Sequence, residues 1–128
     1  DNITVYGDGT QTRSLCYVDD TVDGIYKLAS YTNSVCAISS DTENTSAPLV
    51  MNIGNPLEMT VLDIAKSIKD ITDSKSEIVF KPLPTHDPKV RRPDIGLAQS
   101  LLGWHPKIDY VTGIKNTIEY FKTQLIEK

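Results

Sequence analysis

An α/β fold, a small mixed sheet carrying about four helices, is predicted by three features of the sequence. The run Leu49-Val50-Met51-Asn52-Ile53 is nearly unbroken in its apolar character and closes on Gly54-Asn55-Pro56, which reads as a strand covered on both faces. Behind Thr60-Val61-Leu62-Asp63, which has the T-x-x-D form of a capping box, Val61, Ile64, Ala65, Ile68 and Ile71 recur at helical spacing. The length is 128 residues. A folded chain of this size withdraws roughly two-thirds of its surface from water, enough for one core, so residues 1–128 are read as a single domain and a multi-domain enzyme is excluded.

The remaining elements follow in chain order. Ile3 to Tyr6 is extended, Gly7-Asp8-Gly9-Thr10 supplies a glycine turn, and Gln11 to Val18 is extended again, so the spacing predicts a hairpin. Asp19-Asp20 offers carboxylates to the free N–H groups of a helix start. Val18, Val22, Ile25 and Ala29 then mark a helix over about residues 20–30. Ser39 to Pro48 is polar and turn-prone and reads as a surface loop. Ile78-Val79-Phe80 is a short strand. The stretch after it carries prolines at 82, 84, 88 and 93 and fits no regular element. Asp94 begins a helix through Leu102 that Gly103 ends, Trp104 is a core anchor, and Asp109 precedes a last amphipathic helix through Val111, Ile114, Ile118, Phe121 and Leu125.

Thirteen Lys and Arg against seventeen Asp and Glu give a formal charge of −4, with 39% apolar residues. No broad cationic face results, so nucleic-acid binding is not expected. No stretch reaches the ~20 apolar residues that span a bilayer, and the first residues resemble no signal peptide, so a membrane partner is not expected and the cytoplasm is the default location. Cys16 and Cys36 lack pair spacing and read as two partly buried thiols in a reducing compartment, where the Asn2 and Asn44 sequons would go unused. His86 and His105 are not spaced as metal ligands.

Two segments could carry chemistry. Lys89, Arg91 and Arg92 sit together at the end of the proline-rich stretch, and a guanidinium fork suits two oxygens of a phosphate or carboxylate. The alternative is a solvated basic turn. Arg13, Leu15 and Tyr17 share one face of an extended stretch and could wall a pocket, or Arg13 could simply protect an edge strand. Tyr17-Val18-Asp19-Asp20 also has the Y-x-D-D form of a two-metal polymerase site, but the helical periodicity that follows favours a helix start. Gly7-x-Gly9 lacks the third glycine of a dinucleotide fingerprint, and no Tyr is followed four residues on by Lys.

Taken in order, Thr4-Val5-Tyr6-Gly7-Asp8-Gly9-Thr10-Gln11-Thr12-Arg13-Ser14, Tyr17-Val18-Asp19-Asp20, Asn52-Ile53-Gly54-Asn55-Pro56, Asp87-Pro88, Arg91-Arg92-Pro93-Asp94 and Leu102-Gly103-Trp104-His105-Pro106 are specific. They resemble the C-terminal part of the extended short-chain dehydrogenase/reductase family of nucleotide-sugar epimerases and dehydratases. Within that family the proline-rich D-P-x-x-R-R-P-D run is most similar to the UDP-glucuronate decarboxylase branch, and residues 33–48 look like an insertion.

The resemblance implies an α/β, Rossmann-like enzyme in two parts. An N-terminal domain binds NAD, supplies the Tyr and Lys of Y-x-x-x-K and carries the homodimer contact; a C-terminal region, matched by this chain, grips the UDP-sugar substrate. It further implies that Arg13 and Arg91 converge on the diphosphate, that Asp94 lies near the ribose hydroxyls and that Tyr17 lines the same pocket. For the complete enzyme it implies oxidation at the sugar C4 hydroxyl, loss of CO2 from the keto acid and return of the hydride, giving UDP-xylose. This chain alone is expected to bind without turnover. A dTDP-glucose 4,6-dehydratase, a UDP-sugar 4-epimerase or a non-catalytic binding module are the alternative assignments.

Overall fold

A computed structural model describes residues 1–38 and 49–126, with the side chains of 32–38 and 125–126 left aside. In chain order it has strands β1 (Ile3–Tyr6) and β2 (Thr12–Ser14), helix α1 (Val18–Ile38), strand β3 (Glu58–Thr60), helix α2 (Val61–Ile71), strand β4 (Ile78–Lys81) and helices α3 (Gly96–Leu102) and α4 (Tyr110–Ile126). Among the described residues the α/β class with four helices is borne out, and the strands form one parallel and one antiparallel pair.

The expected hairpin does not form. β1 pairs in parallel with β4, Ile3 opposite Ile78 and Tyr6 opposite Lys81, whereas β2 pairs antiparallel with β3, Thr12 opposite Thr60 and Ser14 opposite Glu58. Gly7 and Gly9 do take positive φ, +71° and +79°, so the chain turns there as their composition dictates. The turn is pinned to α2 instead of closing a hairpin: Gly9 and Gln11 carbonyls accept the N–H groups of Leu62 and Val61 at 3.1 and 2.9 Å. A Cβ on Gly9 would come within 2.8 Å of Leu62 Cβ, so only glycine permits this approach.

Helix α2 starts as the capping box predicts. Thr60 Oγ1 accepts the Asp63 N–H at 3.0 Å and donates to the Asp63 carboxylate at 2.7 Å. Helix α3 begins two residues after Asp94, whose Oδ1 accepts the Gly96 N–H at 2.9 Å, and Gly103 ends it in the left-handed region at φ +57°. The strand expected over Leu49–Ile53 is absent. Among the described residues that run has no neighbouring strand to pair with; it lies along the Pro93–Ile95 segment, where Asn52 Nδ2 donates to Asp94 O at 3.0 Å and Met51 and Ile53 pack on the core.

The core centres on Trp104 and Ala98, both fully buried, and Ile95, with Cys16, Met51, Ile53 and Leu102 around them. Trp104 is therefore the anchor expected of it. Helix α1 runs further than residues 20–30 and turns a different face inward: Asp20 and Gly24 are buried, while Val18, Val22 and Ile25 are 57 to 59% exposed. Small Gly24 lets the helix approach, since a Cβ there would stand 2.7 Å from Ile53 and 3.1 Å from Trp104. Asp20 does not cap its own helix. Its carboxylate accepts the Ile108 N–H at 2.9 Å, tying α1 to the segment before α4. Cys16 is half-buried; Cys36, Asn44 and the Ser39–Pro48 loop lie outside the described residues or side chains.

Candidate functional site

Strand β2 and the loop between β4 and α3 form one surface. The Lys89 carbonyl accepts the Thr12 N–H at 2.8 Å, and the Arg91 carbonyl accepts the Ser14 hydroxyl at 3.2 Å, so the loop runs along the strand although it is more than seventy residues away. Prolines suit this path because it contains no ladder that would need their missing N–H groups. At its tip His86 adopts φ +69°, a backbone region that residues with a Cβ rarely occupy.

The guanidinium of Arg13 lies between strand and loop. Its Nη2 donates to both oxygens of Asp87 at 2.7 and 2.8 Å, and its Nη1 donates to the carbonyls of Thr12 and Pro88 at 2.7 and 2.9 Å. The pair is partly buried, with side chains 20 and 26% exposed, where a charge-assisted hydrogen bond is stronger than in open water. Arg91 contributes its backbone to the same surface, but its guanidinium is exposed and makes no hydrogen bond or ion pair among the described residues. Arg92 reaches Glu58 at 3.8 Å, and Glu58 in turn accepts the Thr12 hydroxyl at 2.7 Å.

Beside this surface Asp8 accepts the hydroxyl and N–H of Thr10, at 2.7 and 3.0 Å, and these donors, with Lys89 nearby, hold its carboxyl below the ordinary carboxylate range.

The four predicted site residues are thus brought together only in part. Arg13 and the backbone of Arg91 are adjacent across β2 and the loop. Asp94 lines a recess with Pro56, Arg92, Pro93 and Gln99, its backbone carbonyl held by Asn52. Tyr17 lines a different, mostly apolar cleft with Leu15, Ile108, Tyr110 and Ile114, its ring against Gly113, where a Cβ would meet it at 3.3 Å. Neither recess is lined by Arg13 or Arg91. Sequence reasoning does not single out Asp87, whose only signal is the Asp87-Pro88 step of the proline-rich run, nor Asn52 and Glu58, whose partners lie more than forty residues away.

The residues present do not make a dinucleotide cradle. The space a Cβ would take at Gly7 and Gly9 is already bounded by Leu83 and Leu62, and no helix follows β1 to aim its N–H groups at a pyrophosphate. Among the described residues no three His, Cys, Asp or Glu gather as metal ligands, and no helix is long and apolar enough to cross a membrane.

Comparison with known proteins gives a concordant result. Residues 1–54 match the model of the NAD dependent epimerase/dehydratase family. UDP-glucuronic acid decarboxylase 1 of Danio rerio is 44% identical over 123 residues, 96% of this chain and 26% of that protein. The crystal structure of UDP-glucose 4-epimerase from Thermotoga maritima with UDP-glucose superposes with a TM-score of 0.77 at 31% identity, covering 98% of this chain and 36% of that one. The structure of UDP-glucuronic acid 4-epimerase from Bacillus cereus with UDP-glucuronic acid and NAD gives a TM-score of 0.78 at 27% identity, covering 97% and 36%. The chain therefore spans about a quarter to a third of the length of these relatives, and it belongs to the NAD dependent epimerase/dehydratase family of nucleotide-sugar enzymes.

Proposed function

We propose that this chain is the sugar-nucleotide-binding C-terminal region of an enzyme that decarboxylates UDP-glucuronate to UDP-xylose, with NAD held by an N-terminal domain beyond these residues. The observation that carries the proposal is the 44% identity to a UDP-glucuronic acid decarboxylase, maintained over 96% of the chain. On this reading Arg13 and Arg91 hold the diphosphate, Asp94 meets the ribose hydroxyls from its own recess, and Tyr17 lines a separate, mostly apolar cleft. The tie between β2 and the loop supports the arginine pair, because it brings the backbone of Arg91 alongside the strand that carries Arg13, 78 positions earlier in the chain. The division of labour is supported by the exposed apolar stripe Val18, Val22, Ile25 and Tyr26 of α1, a surface suited to packing against further protein. We further propose that the complete enzyme is a cytoplasmic homodimer, joined through its NAD-binding domain.

A UDP-sugar 4-epimerase is the second reading, favoured by the two solved epimerases that superpose over nearly the whole chain. The experiment that separates them supplies UDP-glucuronate and NAD to the full-length protein and follows CO2 release and sugar configuration together. The decarboxylase reading expects CO2 and UDP-xylose. Formation of UDP-galacturonate without CO2 would transfer the assignment to the epimerases. The 128 residues alone are expected to bind UDP and to release no CO2 from UDP-glucuronate.

A further inference from the structure

We propose that Asp87 is an internal stand-in for the ligand's diphosphate, a carboxylate that occupies the Arg13 fork until the nucleotide displaces it. The inference rests on the reading of Arg13 as a diphosphate contact. A guanidinium has five N–H donors, and here Nη1 serves two carbonyls while Nη2 serves both Asp87 oxygens. Both Nη atoms are thus turned to protein acceptors, and a carboxylate already sits where Nη2 would meet a phosphate, so a diphosphate that takes the Nη2 contacts does so by releasing Asp87. Arg91 makes no competing bond among the described residues and meets the anion first.

The loop is built for such an exchange. Its Lys89–Arg91 end is fastened to β2 by backbone acceptors that the exchange leaves intact. Its tip is held by the Arg13 contacts to Asp87 and Pro88 and by a weak turn bond from the Asp87 N–H to Pro84 O at 3.3 Å. His86 beside it sits at φ +69°, a conformation that a released loop relaxes. The diphosphate carries more negative charge than one carboxylate and gains Arg91 as well, so exchange favours the bound state.

Calorimetric titration of the full-length protein with UDP tests this. Asp87→Asn, which keeps the shape and removes the competing charge, is expected to bind UDP about threefold to tenfold more tightly than the unaltered protein. Arg13→Ala is expected to bind it more weakly. Weaker binding in Arg13→Ala with unchanged or weaker binding in Asp87→Asn would make Asp87 a fixture that orients Arg13, and the proposal would fail while the diphosphate reading stood. No effect of Arg13→Ala would remove both. Hydrogen exchange of the unaltered protein gives a second measure that needs no variant: UDP should speed exchange over residues 85–87 and slow it over 89–91, and uniform protection of both would overturn the proposal.

Discussion

The indole Nε1 of Trp104 donates to the backbone carbonyl of Asp20 at 3.0 Å, and both groups are buried. The carboxylate of the same Asp20 accepts the Ile108 N–H at 2.9 Å. One aspartate thus joins the start of α1 to both sides of the turn that leads into α4. Trp104→Phe keeps most of the ring and removes the donor, leaving a buried carbonyl without its partner. It is expected to lower stability by about 1–3 kcal/mol, and Asp20→Ala by a similar amount through the orphaned Ile108 N–H. Urea unfolding followed by circular dichroism reads both, and a loss below 0.5 kcal/mol in either variant would contradict the linkage, on the order of the scatter for ordinary surface changes.

Gly24 provides a packing test. It is buried in α1, and a Cβ there would lie 2.7 Å from Ile53 Cγ2 and 3.1 Å from the Trp104 ring. Alanine has the better helix propensity by about 1 kcal/mol, so in a free helix Gly24→Ala would stabilise. Here overpacking of about 1–3 kcal/mol opposes that gain. Because the contacts fall on a core ring and a branched side chain with little room to give, we expect a net loss, read as a lower urea midpoint with an unchanged slope.

How much could be read beforehand follows the range of each signal. The Thr60 cap, the Gly103 stop and the helical run of α4 depend on residues within four positions of one another, and they stand as the sequence predicts, although Val111 and Phe121 of the expected α4 stripe are exposed. Strand pairing does not share that locality. Gly7 and Gly9 do turn the chain, yet β1 finds its partner in β4 and β2 in β3, a choice set by where α2 packs and not by the turn. Leu49–Ile53 has strand composition, but Met51 and Ile53 pack on the Trp104 core without a ladder while Val50 is exposed. In the site, the chemistry of Arg13 was readable from its type, whereas Asp87, 74 residues on, is identified as its partner only by the fold.

Arg13 and Arg91 are expected to separate stability from binding. Arg13 is partly buried and fastens the loop to β2, so Arg13→Ala should cost about 1–2 kcal/mol of stability besides weakening UDP binding. Arg91 is exposed and unpaired among the described residues, so Arg91→Ala should leave stability within about 0.5 kcal/mol while lowering UDP affinity. Thermal unfolding and UDP titration of the two variants, measured side by side, check the contrast. An Arg91→Ala protein that binds UDP as before would remove Arg91 from the site.

At the start of α4 the Thr112 hydroxyl and N–H both donate to Asp109, at 2.6 and 3.0 Å, and hold its carboxyl below the ordinary carboxylate range. The folded-state pKa therefore lies below the unfolded one. The stabilisation this gives is complete above the unfolded value and is lost as the pH falls through the folded value. Thr112→Val removes the hydroxyl, the larger of the two causes, so the Asp109 carboxyl should titrate at higher pH and α4 should begin to loosen earlier on acidification. Carboxyl-carbon NMR titration of Asp109 in both proteins measures the shift directly. An Asp109 titration unmoved by the substitution would show that the hydroxyl does not set its acidity, leaving the Thr112 N–H and the helix N-terminus as its source.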